Sequence, residues 1–439
     1  MRRLVFIVRI QGVKRMNERE ESKTADSAIL LGIDFGNGDE EASLDELESL
    51  AQTAGIETYA KALQRRDKIE ASTYMGTGKL RQIKELCEGS GVNIAIVDDE
   101  LKGSQVREIE KILDMRVIDR TTLILDIFAS RAKSTEGRLQ VELAQYKYRL
   151  PRLRGFGDAL SRLGGGIGTR GPGETKLETD RRHIRRRIEH IEKQLAETSV
   201  RREMSRTNRK KNNVPTVALV GYTNAGKSSL MNRLCPNAEV YVQDQLFATL
   251  DPTTRRVPLG ENLEVLLTDT VGFVRKLPHS LVEAFKSTLE EAVLADFLLL
   301  VLDISPGQLD AQWETTLSVL KELGADEKKI IVVFNKLDLL DRDAELVLLA
   351  RLNGLFPGAY YISTHTGEGV DALKARLTAI AAENFQLLRV KLPPGRHDLA
   401  ALAHASGRIY EERYDEAGEL ELVFTIGPVH RHKFLEYTI

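Results

Sequence analysis

Residues 221–228 read Gly221-Tyr222-Thr223-Asn224-Ala225-Gly226-Lys227-Ser228, the spacing G-x-x-x-x-G-K-[ST]. Residues of these types can do phosphate chemistry. Backbone N–H groups of a tight glycine turn and the positive end of the following helix converge on the β- and γ-phosphates of a nucleotide. Lys227 adds a point charge, and the Ser228 hydroxyl can ligate Mg2+. The chemistry requires a strand before the turn and a helix after it. The apolar run Val217-Ala218-Leu219-Val220 and the helical-looking stretch Ser229–Leu234 supply both. Chance alone can place such an octapeptide in a glycine-containing loop, but not readily between those flanks.

The base is selected further along. Asn335-Lys336-Leu337-Asp338 directly follows the strand-like run Ile330–Phe334. In an N-K-x-D loop the Asp338 carboxylate can accept both the N1–H and the exocyclic amine of guanine. Adenine would leave that carboxylate desolvated and unpaired, which discriminates strongly between similar ligands. Asn335 would bond guanine N7 or brace the phosphate loop, and the Lys336 stem would lie along the base. Alone, such a tetrapeptide fits any surface turn; behind a phosphate loop, at the end of an apolar strand, it points to GTP and GDP.

Two further segments fall between these in order. Asp269-Thr270-Val271-Gly272 ends the strand-like run Leu263–Asp269, so that Asp269 can hold Mg2+ through water and the Gly272 N–H can reach the γ-phosphate. Phe247-Ala248-Thr249-Leu250-Asp251-Pro252-Thr253-Thr254 lies where a first switch loop belongs. Thr249 is the expected second Mg2+ ligand, with Thr253 and Thr254 as competitors, and plain turn chemistry is the competing account of a threonine-rich loop. Ser363-Thr364-His365 follows the strand-like run Ala359–Ile362 and can pack over guanine through its backbone. Lys227, Asn224 and Gly272 are the groups expected to act on the reacting phosphate. Asn224 can either bond the turn or coordinate K+ beside the β- and γ-phosphates. Where Ras-type switches carry a water-orienting glutamine, the chain has Phe273, so intrinsic hydrolysis should be slow until a partner supplies or orders the missing group.

The elements that must position these groups alternate strand and helix. Residues 214–384 read as a GTPase domain with a mostly parallel, doubly wound sheet; the six-residue apolar run Phe297–Leu302, between Asp296 and Asp303, has the length of a buried central strand. Before it, residues 27–136 form a small α/β domain with strand-like runs at Ser27–Ile33, Ile56–Ala62, Asn93–Val97 and Arg116–Asp119. Helical patterns there cover Leu44–Ala54, Leu80–Leu86 and Leu101–Leu113. Tyr74-Met75-Gly76-Thr77-Gly78-Lys79 imitates a phosphate loop, but its spacing is too short and a structural turn is the better reading. Residues 385–439 read as a small α+β domain of illegible function, with a period-2 run at Glu419–Phe424.

Residues 137–213 differ in character. Leu139, Leu143, Tyr146, Leu150 and Leu153 fall on one helical face, and Leu177, Ile184, Ile188, Ile191 and Leu195 form a second narrow stripe. Between them lies Gly164-Gly165-Gly166-Ile167-Gly168-Thr169-Arg170-Gly171-Pro172-Gly173, which neither helix nor strand accommodates. The pattern predicts a long antiparallel helical hairpin with a glycine tip. From Lys147 to Lys211 it carries 19 Lys/Arg against 8 Asp/Glu, in a chain whose net charge is −2. Arg181, Arg182, Arg185, Arg186 and Arg187 cluster past the tip. A one-signed excess beside exposed backbone N–H groups points to a polyanion, with salt-dependent binding. The lack of interleaved aromatics argues against a single-strand platform, so folded RNA fits better.

Composition narrows the setting. Cys87 and Cys235 are the only cysteines, which implies a reducing compartment and no disulfide frame. No apolar run approaches the roughly 20 residues of a membrane span. Residues 1–26 open like a signal peptide but are broken by Arg9 and Gln11, and read as a disordered extension with Met16 an alternative start. A cytoplasmic chain is expected, a monomer without stable membrane insertion.

G-Y-T-N-A-G-K-S, F-A-T-L-D-P-T-T-R, D-T-V-G-F and G-G-G-I-G-T-R-G-P-G-E-T-K-L-E-T-D-R-R together resemble the HflX family of bacterial GTPases, from about residue 27 onward. The resemblance implies a factor that binds the large ribosomal subunit and its RNA, not DNA, and acts in ribosome splitting or rescue, translation or ribosome biogenesis. It further implies that the glycine tip reaches ribosomal RNA near the peptidyl-transferase region. The competing class is a regulatory GTPase acting on another protein or an anionic membrane surface. The tip offers only Ile167 for insertion, which weakens the membrane version.

Overall fold

The structure is a computed structural model and describes residues 26–36, 38–153, 172–211, 214–235, 246–260, 263–278, 281, 286–305, 309–325, 327–340, 342–383 and 385–439. The expected N-terminal extension (but for residue 26) and the glycine tip up to residue 171 lie outside the described residues. The chain forms two compact units. The first comprises Met1–Ala196, Gln245–Leu250 and Arg275–Phe285; the second comprises Glu197–Asp244, Asp251–Val274 and Lys286–Ile439.

The first unit holds an all-parallel four-stranded sheet in the order β2-β1-β3-β4. Its strands are β1 (Ser27–Asp34), β2 (Glu57–Arg65), β3 (Ile94–Val97) and β4 (Arg116–Asp119). Parallel strands joined by crossover helices are covered on both faces, so they read as continuous apolar runs. Accordingly Ala28, Ile29, Leu30 and Leu31 are fully buried. Helices α1 (Glu40–Thr53), α2 (Thr77–Cys87) and α3 (Gly103–Leu113) are the crossovers. Helix α4 (Arg120–Arg131), which sequence reading does not single out, is buried along most of its length. Its Leu123-Ile124-Leu125 core carries no clean amphipathic period; the helix starts because the Asp119 carboxylate accepts the Thr122 N–H at 2.9 Å. The turn at Tyr74–Lys79 is tied to the surrounding fold, Tyr74 OH donating to Asp99 at 2.5 Å and Gly76 N–H to Gln64 Oε1 at 2.8 Å.

At the start of α4, Arg120 is 1% exposed and is held by Glu46 and by Asp98, the latter at 2.7 Å. Asp98 also accepts the Ser43 hydroxyl and Lys276 Nζ, each at 2.7 Å. Burial lowers the pKa of Lys276, but Asp98 and Asp99 outweigh it and hold the ammonium above its usual value.

Helices α5 (Thr135–Arg152) and α6 (Pro172–Lys211) meet along an apolar seam of Leu143, Ile188 and Ile191, flanked by Leu139, Tyr146, Leu150, Ile184 and Leu195. Arg187 reaches across to both oxygens of Glu142 at 2.8 and 2.9 Å, and Lys147 pairs with Glu192 at 2.9 Å. Arg182, Arg185 and Arg186 remain exposed on α6. At about 1.5 Å per residue, its 40 residues extend roughly 60 Å.

The second unit contains a six-stranded sheet in the order β10-β9-β8-β5-β7-β6, parallel except for the β6–β7 pair. Its strands are β5 (Thr216–Gly221), β6 (Thr253–Gly260), β7 (Leu263–Asp269), β8 (Phe297–Asp303), β9 (Lys329–Asn335) and β10 (Tyr360–Tyr361). Helix α7 (Lys227–Leu234) follows β5 directly after the phosphate loop. The C-terminal strands Gln386–Leu392, Gly407–Tyr414 and Leu420–Ile426 form a separate antiparallel sheet around Phe424 and Phe434.

Candidate functional site

The carboxyl ends of β5, β7, β8 and β9 bring the site together, as expected of an open parallel sheet. β5 delivers Gly221–Ser228. Gly226 takes φ +95°, and a Cβ there would stand 2.1 Å from Asn335 Nδ2, so glycine is required both by conformation and by space. Asn224 is also left-handed, at φ 60°. Lys227 is 6% exposed and donates to the Gly221 and Tyr222 carbonyls at 3.1 and 2.7 Å. Burial lowers its pKa to about 8, against the opposing pull of Asp269.

β7 ends at Asp269, which is fully buried and accepts the Ser228 hydroxyl at 2.6 Å. This pair of hard oxygens suits Mg2+, which keeps several waters and takes one or two protein ligands beside substrate phosphates. Among the described residues no group of three or more His, Cys, Asp and Glu could hold a metal by itself. Ser228 would ligate it and Asp269 would orient its water; bound there, the cation would supply charge to the phosphates.

The following loop is stitched to the phosphate loop. Thr270 Oγ1 donates to the Leu219 carbonyl at 2.5 Å, Phe273 N–H to Gly221 at 3.1 Å, and Thr223 N–H to the Phe273 carbonyl at 2.8 Å. Val271 and Phe273 are buried, the latter at 1% exposure. Phe273 thus forms a short parallel bridge with Tyr222. A Cβ on Gly272 would stand 2.7 Å from Thr223 Cα, 2.8 Å from Lys227 Nζ and 2.8 Å from Thr223 Cγ2.

β9 supplies the base loop. Asn335 Nδ2 donates to the Ala225 carbonyl at 2.8 Å while Oδ1 accepts the Thr364 N–H at 3.0 Å. Leu337 N–H bonds the Ile362 carbonyl at 3.2 Å, locking the two base loops together. Ser363 is fully buried and its hydroxyl orients Asp338 Oδ1 at 2.5 Å. His365 is largely exposed, 3.8 Å from the other Asp338 oxygen. Lys336 is left-handed at φ 69°, and its Nζ sits 2.7 Å from Asp303 Oδ2 at the end of β8. Sequence reading missed Asp303; an acidic residue closing the most apolar strand was the available signal.

The switch segment is divided. Phe247, Ala248, Thr249 and Leu250 belong to the first unit, and Asp251 to the second. Phe247 is 3% exposed and packs edge-to-face on Phe128, centroids 4.6 Å apart. Thr249 is half-buried. Its competitors Thr253 and Thr254 are strand residues of β6 rather than loop residues, with Thr254 Oγ1 bonded to Thr268 Oγ1 at 3.0 Å. β-Branched threonine suits a pleated edge as well as a loop, which is why the sequence did not separate them. Among the described residues no helix is long and apolar enough to cross a membrane.

Three family models match the chain: GTP-binding GTPase N-terminal over residues 41–129, GTP-binding GTPase middle region over 131–209, and 50S ribosome-binding GTPase over 216–336. The GTPase HflX of Caldanaerobacter subterraneus subsp. tengcongensis is 49% identical over 402 residues, covering 91% of this chain and 91% of the relative. The GTPase HflX of Escherichia coli K12 is 41% identical over 404 residues, covering 90% and 92%. Among solved structures, a GTP-binding protein from Sulfolobus solfataricus in complex with GDP is 25% identical, with TM-score 0.44 and coverage of 82% and 99%.

Proposed function

The chain belongs to the HflX family of GTPases, which bind and hydrolyse GTP, and from that premise we propose that it is a cytoplasmic, monomeric factor whose GTP form binds the large ribosomal subunit and its RNA, in ribosome splitting or rescue, translation or ribosome biogenesis. The observation that carries this reading is the exposed arginine surface of α6, Arg182, Arg185 and Arg186, on a helix whose opposite face is committed to α5. A phosphate backbone is the partner that such a surface fits. The description of the matched model, 50S ribosome-binding GTPase, supports it.

The residues assigned to the nucleotide act as follows. Gly221–Ser228 cradle the phosphates, Asn335 braces the cradle, and Asp338, oriented by Ser363, accepts the guanine N1–H and amine. Thr364 and His365 border the base. Ser228 and Thr249 would each be a ligand of Mg2+, which would supply charge to the phosphates, and Gly272 would present its N–H to the γ-phosphate. Phe273 is buried and apolar, so nothing at its position orients the attacking water. GTP therefore waits on the ribosome; Asn224, whose other role is to bond the turn, would hold K+ where an arginine finger would otherwise add charge. GTP turnover with and without large subunits tests this: strong stimulation is expected, and a rate already fast and unchanged by subunits would overturn it.

A further inference from the structure

Lys276 has a left-handed backbone, φ 52°, which a residue with a Cβ adopts at a cost and keeps only where its surroundings over-determine it. Those surroundings lie in the first unit. Lys276 Nζ is 2.7 Å from Asp98 Oδ2 and 2.8 Å from Asp99 Oδ1, and the preceding Arg275 N–H donates to Glu46 Oε1 at 3.1 Å. The two carboxylates are themselves fixed. Asp98, 3% exposed, also accepts from Ser43 and Arg120, and Asp99 accepts the Tyr74 hydroxyl at 2.5 Å. Strained residues held in this way cluster at functional sites.

Gly272 stands four residues earlier, and the chain between has little freedom. At about 3.6 Å per residue those four residues span at most roughly 14 Å. Within the second unit the N–H and carbonyl of Phe273 both bond the phosphate loop, and a Cβ on Gly272 would stand 2.7 Å from Thr223 Cα. Val274, the one residue between Phe273 and Arg275, is fully buried. The segment is thus pinned at one end by the phosphate loop and at the other by the acidic pair. Resting on the site reading above, we infer that Lys276 is a positioning residue for GTP hydrolysis: its ion pairs with Asp98 and Asp99 hold the segment after Gly272, so that the Gly272 N–H stays aimed at the γ-phosphate. Aim of this kind matters to rate, since a misplacement of about 1 Å can cost about a hundredfold.

Single-turnover hydrolysis and GDP titration with the full chain test this. Lys276→Met removes both ion pairs and keeps the length of the side chain. Its rate should fall at least about tenfold, while GDP affinity changes less than about twofold. Lys276→Arg keeps the charge and should restore most of the rate, and Asp99→Asn, which weakens one pair of the two, should fall between. A purely structural pair would lower the melting temperature and leave the rate of the folded protein as it was. An unchanged or raised rate in Lys276→Met, an equal loss of GDP affinity, or a Lys276→Arg no faster than Lys276→Met would overturn the inference. Wild-type hydrolysis by Gly272→Ala would instead overturn the site reading on which it rests.

Discussion

Lys336 Nζ and Asp303 Oδ2 lie 2.7 Å apart, joining the base loop to the end of the neighbouring strand β8. Lysine at 336 adopts a left-handed backbone, so its stem is aimed by conformation and its head by this carboxylate. Asp303→Asn keeps the shape and removes the charge. Calorimetric titration of GDP should show affinity falling roughly tenfold, the loss expected for half of a largely desolvated pair. Unchanged affinity would mean that the ion pair does not position the loop.

Gly272→Ala places a methyl 2.7 Å from Thr223 Cα and 2.8 Å from Lys227 Nζ, which forces the loop off its seat. Hydrolysis should fall by at least about tenfold, the rate equivalent of ~1.4 kcal/mol in the barrier. GDP binding should fall less than hydrolysis, because the base loop Asn335–Asp338 is untouched. Single-turnover hydrolysis beside GDP titration separates the two.

Lys227 gives a pH signature. Burial lowers its pKa to about 8 from the ordinary 10.5. Between those values the unfolded chain keeps a proton that the folded chain has released, so stability rises with pH across that window and is independent of this group below it. Lys227→Met should therefore be more stable than wild type at neutral pH, with the gap narrowing above about pH 8. It should also lose nucleotide binding. Melting curves across pH report the first effect and titration with GDP the second.

Arg120 is the test of the first unit's core. Its side chain is 2% exposed, between Asp98 at 4% and Glu46 at 12%. Asp98→Ala leaves the guanidinium buried with half its compensation, which costs about 3–5 kcal/mol. Denaturant unfolding should show a loss of that order, whereas Glu85→Ala, at an exposed position of α2, should change little.

What the sequence made legible was local. The Gly221–Ser228 and Asn335–Asp338 loops were readable because backbone turns and apolar strands write themselves into adjacent residues. The sheet followed from runs such as Phe297–Leu302. Long-range relations were not readable. Asp303 meets Lys336 from 33 positions away, through a β8–β9 register that pairs Asp303 with Asn335. Helix α4 escaped because its apolar residues Leu123, Ile124, Leu125, Ile127 and Phe128 run almost unbroken and leave only a narrow exposed stripe at Asp126, Ala129 and Ser130 to give it a period. Phe247 and Lys276 pack within the first unit through Phe128, Asp98 and Asp99, which no spacing in the chain announces.

In the proposed function, charge on α6 sets the partner. Replacing Arg182, Arg185 and Arg186 by glutamate leaves the Arg187–Glu142 pair and the apolar seam in place. Affinity for large ribosomal subunits should drop, and the log–log dependence on salt should become shallower by roughly one unit for each phosphate no longer neutralised. An unaltered salt slope would show that these arginines face solvent in the complex. Hydrolysis compared in K+ and Na+ addresses Asn224: faster turnover in K+ is expected, and equal rates would remove the cation role.

In the proposed function, GTP governs attachment to the large ribosomal subunit. Co-sedimentation of the full chain with purified large subunits, in GDP, GTP and β,γ-imido GTP, measures it directly. The account predicts tight association with the imido analogue, weak association with GDP, and an intermediate level with GTP as hydrolysis releases the protein. Equal association in all three nucleotides, or none in any, would contradict it.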